Sequence, residues 1–207
     1  MKGAGSTGGA WLRKLVALMP PHEGAGDTVD WAQVQASLGV ALPQDYMSFV
    51  GTYGPGSVGD TLYVCAPPGM ELDWPTVNRI APHAMQAPEL QSWQGPVTHS
   101  LEHLLLWGET CSADTFCWLT LGESPDDWPV AVWQRGRGDW MLYDCGMVEF
   151  LTRLLRADFD ACPMTDVSIW GDPAPLFLHP REEDRLREMG LDPWTGEPDP
   201  LAAMRYE

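Results

Sequence analysis

Apolar positions recur at helical spacing in several stretches of the chain. Trp11, Leu12, Leu15, Val16 and Met19 form one stripe, stopped by Pro20-Pro21. Trp31, Val34 and Leu38 form the next, with Asp30 placed to cap its start and Gly39 to close it in a left-handed conformation. Tyr46, Phe49, Val50 and Tyr53 complete a third face, with Pro43 at its start and Gly54 at its end. A further face is built by Met147, Phe150, Leu151, Leu154 and Leu155. Between these, the period changes to that of strands: Thr61–Cys65, Leu101–Trp107, Thr115–Thr120, Val130–Gln134 and Trp140–Tyr143 are β-rich and separated by short turns such as Arg135–Asp139. Short connections favour hairpins, so the sheet is predicted to be mainly antiparallel. Residues 66–100 are interrupted by prolines, and a helix around Val77–Met85 is only faintly signalled.

The pattern divides the chain into three parts. Residues 1–10, rich in Gly, Ser and Thr, read as a flexible N-terminus; 11–156 as the folded domain; and 157–207 as an acidic, Pro-rich extension. That extension holds Ile169, Trp170, Leu176, Phe177, Leu186 and Trp194, which need somewhere to pack, so it is expected to wrap the domain. It contains one short predicted helix, Pro180 to Met189, with Glu182, Glu183 and Asp184 in its first turn and Gly190 at its end.

Charge narrows the functional classes. The 207 residues carry 29 acids and 12 Lys or Arg, a net of −17. Residues 1–100 hold 8 acids and 4 bases, and residues 101–207 hold 21 and 8. Such a field repels a phosphate backbone and an anionic membrane, so neither nucleic acid nor membrane is an expected partner. A basic protein would instead be steered toward it. The five cysteines are odd in number and contain no CxxC pair, the Leu15–Met19 run is too short for a leader core, and no apolar stretch reaches the roughly 18 residues of a membrane span. These features predict a protein of a reducing cytoplasm with mostly buried free thiols.

No catalytic set emerges. Gly3–Gly8 has no room for a preceding strand, and Gly54–Gly59 leaves a helix and enters a strand, the reverse of a dinucleotide-binding turn. His22-Glu23 lacks the second His of HExxH. His99 and His103 are the one His pair at metal-compatible spacing, but a catalytic zinc wants three protein ligands. A hydrolase built on them ranks well below a binding role, and no cofactor or metal is expected. Asp126-Asp127 could do acid–base work, yet adjacent carboxylates on a turn usually only solvate it.

The positive signal is tryptophan, of which there are eleven. Trp107, Trp118, Trp128, Trp133 and Trp140 fall on or beside the strand block. At least half are expected in the core, but aromatics beside carboxylates also suit a cationic partner surface. Trp107, Trp118, Asp126, Asp127, Trp128, Trp133 and Trp140 are therefore the candidate partner-binding residues.

The run Trp31…Leu38-Gly39-Val40-Ala41-Leu42-Pro43-Gln44-Asp45-Tyr46…Phe49…Tyr53-Gly54-Pro55-Gly56 resembles the opening signature of the Smi1/Knr4 (SUKH) superfamily. Leu105–Glu109, Phe116–Trp118, Trp128–Val132 and Met147–Leu155 follow in the matching order, so the resemblance covers about residues 11–156. It implies an α+β fold, a curved and mostly antiparallel sheet with helices packed around it, and a non-enzymatic, protein-binding role. Bacterial members are often immunity proteins that neutralise polymorphic toxins, many of them nucleases; eukaryotic relatives are scaffolds and regulators. The expected function is thus an immunity-type protein with a basic toxin partner. The alternative is an intracellular scaffold or regulatory module that binds an endogenous protein, with the extension as its contact.

Overall fold

The computed structural model describes residues 4–70, 78–82, 92–94 and 98–200. Three helices come first: α1 (Ala4–Leu18), α2 (Trp31–Leu38) and α3 (Gln44–Tyr53). Strands β1 (Gly56–Val58), β2 (Leu62–Val64), β3 (Ala81–Pro82), β4 (Leu104–Thr110), β5 (Thr115–Leu119), β6 (Val130–Gln134) and β7 (Asp139–Tyr143) follow, then α4 (Met147–Leu155), β8 (Phe177–Leu178) and α5 (Pro180–Glu188). The strands form one open sheet in the order β7-β6-β5-β4-β2-β1-β8, with β3 paired to the other end of β4. Every pairing among these strands is antiparallel, and the fold is the α+β arrangement the sequence predicts.

Local chemistry explains the helix ends. Asp30 accepts hydrogen bonds from the Ala32 and Gln33 amides, and Gly39, at φ 73°, closes α2. Gly54 ends α3 at φ 75°, and a Cβ there would lie 2.4 Å from the His179 ring, so only glycine allows that approach. Helix α1 begins at Ala4, upstream of the Trp11 stripe and within the Gly-rich stretch.

Around β5 and β6 the sheet is covered on both faces. Phe116, Trp118, Val130 and Val132 point into the main core with α3 and α4 residues such as Tyr46, Phe49, Phe150 and Leu154. Cys117, Leu119, Ala131 and Trp133 alternate with them and point into a second, smaller core with Leu104 and Trp140. Burial on both sides is why β5 and β6 read as unbroken apolar runs rather than an apolar–polar alternation. Strand register shifts between Leu106 and Gly108, so two residues of β4 oppose one of β5, and the Trp107 indole enters the main core.

Two elements differ from the sequence reading. Leu101–His103 forms a 3-10 turn that precedes β4, and the strand runs on to Thr110. In the Val77–Met85 stretch, Ala81–Pro82 is a two-residue strand on β4 rather than part of a helix; residues 71–77 and 83–91 lie outside the described residues. A proline is tolerated there because this short strand needs no donor from it.

After α4 the chain returns to the sheet. Met164, Ile169 and Phe177 are in the main core, and β8 pairs with β1 through Ser57↔Leu178 and Val58↔Phe177. Two buried polar centres fasten this return. The wholly buried Asp114 carboxylate accepts from Thr110 Oγ1, the Arg135 amide, and both the amide and hydroxyl of Thr165. Near the start of α5, Asp27 takes the His179 ring at 2.9 Å and the Arg181 guanidinium at 2.7 Å.

Candidate partner-binding site

The carboxylates singled out in the sequence sit on a 3-10 turn, Pro125–Asp127, whose first residue is a fixed-φ proline. That turn is pinned to α3. Pro43 precedes α3 and offers no side-chain acceptor, and Asp126 Oδ1 supplies one from far along the chain, accepting the Gln44 amide at 2.6 Å. Asp45, one residue further on, does the same for α4: its Oδ2 accepts the Val148 amide at 3.0 Å while Oδ1 accepts the Tyr46 amide at 2.7 Å. Two helix N-termini therefore converge, each satisfied by a carboxylate that also favours the positive end of the helix dipole.

Around them opens a groove of about 340 Å3. Asp45, Asp126, Asp127, Asp144 and Glu149 line it, with Gln44, Ser48, Trp11, Trp128 and the Gly8-Gly9 segment of α1. Among the described lining residues there is no lysine, arginine or histidine, while Lys14 lies over the Trp11 ring at 3.6 Å and Arg13 beside Gly9. Glu149 leans toward Arg153 one turn along α4, at 3.8 Å. Burial pushes the Asp45 carboxyl above the ordinary range, the nearby Asp126 charge adds to the rise, and the Val148 and Tyr46 amides oppose it. The groove is negative, partly desolvated and walled by rigid elements, a setting in which opposite charge is attracted more strongly than at an open surface.

The five candidate indoles lie elsewhere or underneath. Trp107, Trp118 and Trp140 are fully buried, and Trp128 and Trp133 are 4% exposed. Trp107 and Trp118 tilt against each other at 6.1 Å, and Trp118 meets Tyr46 edge-on at 5.3 Å. Trp133 and Trp140 belong to the opposite face of the sheet, where Trp140 stacks on Trp93 at 5.5 Å. The structure does not bring the seven candidates together. Strand alternation sends them to two separate cores, and of the seven only Asp126 and Asp127 are exposed. Sequence reasoning missed Asp45, Asp144 and Glu149, which complete the groove from distant positions; the signals were Asp45 and Glu149 as acids in the first turns of α3 and α4.

The remaining chemistry is dispersed. His99 packs edge-on against Trp93, and His103 in its 3-10 turn lies 3.8 Å from Glu102. Among the described residues no three His, Cys, Asp or Glu side chains are grouped to hold a metal ion. Cys65, Cys117 and Cys145 are buried free thiols, and burial lifts Cys145 to about 12, far from a reactive thiolate. No helix among the described residues is long and apolar enough to cross a membrane.

The SUKH_6 family model, described as SMI1-KNR4 cell-wall, matches residues 29–151, a span from just before α2 into α4. No curated protein and no solved structure matches the chain.

Proposed function

The chain belongs to the SMI1-KNR4 (SUKH) family, and from that premise we propose that it is an immunity-type binding protein that captures and neutralises a toxin domain with a basic surface. The observation that carries this reading is the groove of five carboxylates with no cationic side chain among its described lining residues, on a chain of net −17. A nuclease domain has to attract phosphate, and the same field that draws its substrate draws an acidic inhibitor. Asp127 and Asp144 are the contact residues of this proposal, with Glu149 at the rim; the buried tryptophans hold the helices and sheet that place them. The partner is a protein, and the site performs no bond chemistry.

The second reading is a scaffold or regulatory module that binds an endogenous protein through residues 157–207; Ile169, Phe177 and His179 of that segment are buried against the rest of the chain, which leaves its exposed side for such a contact.

Affinity capture with the tagged full chain, from lysates that include rival strains, tests the proposal when read by mass spectrometry. A basic toxin domain recovered at equal stoichiometry, and lost when Asp127→Lys and Asp144→Lys are combined, is the expected result. Recovery of only endogenous acidic or neutral proteins, unaffected by those changes, would overturn it.

A further inference from the structure

Helix α5 is strongly polar, has no buried residue and is fastened at its start, where His179 caps it and Arg181 reaches Asp27, and further along by the Ser57 hydroxyl, which donates to Glu183 at 3.3 Å. Between α5 and the β1-β2-β4 surface lies a cleft of about 490 Å3, larger than the groove beside α3 and formed jointly by the family domain and the segment that follows it. Its floor is set by register: Tyr63 and Glu109 are direct partners across β2 and β4, so ring and carboxylate stand side by side on one face. Tyr63 is 38% exposed, which leaves part of an aromatic ring open to an occupant.

The charges in this cleft are not balanced from within. The one guanidinium among its described lining residues, Arg187, is taken by its own helix, at 2.6 Å from Glu183 and 3.4 Å from Asp184. Glu109 is half-buried, and its described hydrogen-bond partner is the neutral Asn78 amide. Among the described residues, Asp60 accepts the Tyr63 hydroxyl, at 3.2 Å. Burial raises the Glu109 carboxyl above its ordinary range, as expected where a desolvated charge lacks a countercharge. An aromatic ring flanked by carboxylates in a partly enclosed space is the arrangement that binds a guanidinium or ammonium group: the ring face attracts the cation, and the carboxylates accept its N–H donors. A cavity of this size admits one long side chain rather than a folded element.

The geometry points to this cleft as the receptor for one arginine or lysine side chain projecting from the protein partner, an inference that rests on the partner reading above. The cation lies against Tyr63, with Glu109 and Asp60 as its acceptors and α5 as the roof that excludes water. The extension then contributes a wall of the recognition site.

The test is a titration of the full chain, followed by amide chemical shifts, with the blocked tripeptide Ac-Gly-Arg-Gly-NH2, its neutral citrulline counterpart and free agmatine. Saturable shifts at Ser57, Tyr63, Glu109 and Glu183 with the arginine peptide, none with citrulline, and about tenfold weaker binding in Glu109→Gln are expected, as for loss of one charge-assisted contact. Tyr63→Leu provides a second variant with the same expected weakening, read alongside a melt that shows each variant folded. Shifts that never saturate, spread over all acidic surfaces or persist unchanged in both variants overturn the inference. Binding of agmatine without the peptide also overturns it and assigns the cleft to a free cation. The partner reading fails separately: a partner whose capture depends on Asp127 and Asp144 but not on Glu109 or Tyr63 sinks the cleft and leaves that reading standing.

Discussion

Asp126 and Asp127 are neighbours with different duties. Asp126 accepts the Gln44 amide and so caps α3, whereas the side chain of the exposed Asp127 makes no described hydrogen bond. Asp126→Ala should cost about 1 kcal/mol, the usual value of a lost helix cap, and Asp127→Asn should stay within about 0.5 kcal/mol of the parent in a denaturant melt. Asp114 is the more severe case. Its removal orphans the Arg135 and Thr165 amides together, so Asp114→Ala is expected to destabilise by about 3 kcal/mol, visible as a lowered midpoint with unchanged slope. Trp118→Ala should cost about 4 kcal/mol through the cavity it leaves. Trp118→Phe should cost clearly less, since it keeps the ring and deletes an indole N–H that has no acceptor. At this scale the tryptophan pattern was a misleading signal. Alternation shows that side chains point to two faces, but not that both faces are covered, and Trp133 and Trp140 lie in a second core that Trp93 and Leu101 help to cover.

Elements were legible where their ends carry local chemistry. Asp30 and Gly39 bound α2, Gly54 stops α3, and the acids of Pro180–Glu188 sit in the first turn of α5, each a feature of a few adjacent residues. Strand β8 and Ala81–Pro82 were not legible, because a two-residue strand has no period of its own and exists only through its partner, β1 or β4. The groove was half legible for the same reason: Asp126 and Asp127 are adjacent, but Asp45, Asp144 and Glu149 join them only through packing of α3 on α4. A pH effect belongs to the start of α5. His179 Nδ1 accepts the Arg181 amide and Nε2 faces Asp27, which fixes a neutral ring, while the His22 ring and the Arg181 cation stand close by. Burial, with Arg181 and His22, holds its pKa below the ordinary 6.5, although Asp27 opposes the shift. The unfolded chain therefore takes up this proton first as pH falls. Its stabilising contribution is complete above about pH 6.5 and is lost progressively below it. Melting temperatures between pH 7.5 and 5.5 should fall more steeply for the parent than for His179→Asn, which keeps a cap acceptor and cannot titrate; parallel slopes would contradict this assignment.

Over the whole molecule, acids outnumber bases 29 to 12 while the core is assembled from aromatic and aliphatic side chains on both sides of one sheet. The charge is therefore not what holds the fold together, and it is available for association. Long-range attraction of this kind acts mainly on the rate of encounter and is screened beyond about 8 Å at physiological salt. The most direct measurement is the association rate constant of the captured basic partner as a function of ionic strength, for the parent and for the chain carrying both Asp127→Lys and Asp144→Lys. Capture through the carboxylate groove predicts a rate that falls steeply with salt and drops at least about tenfold in the doubly reversed chain at low salt, with its melting temperature preserved. A rate indifferent to salt and equal in the two chains would rule out capture through the carboxylate groove.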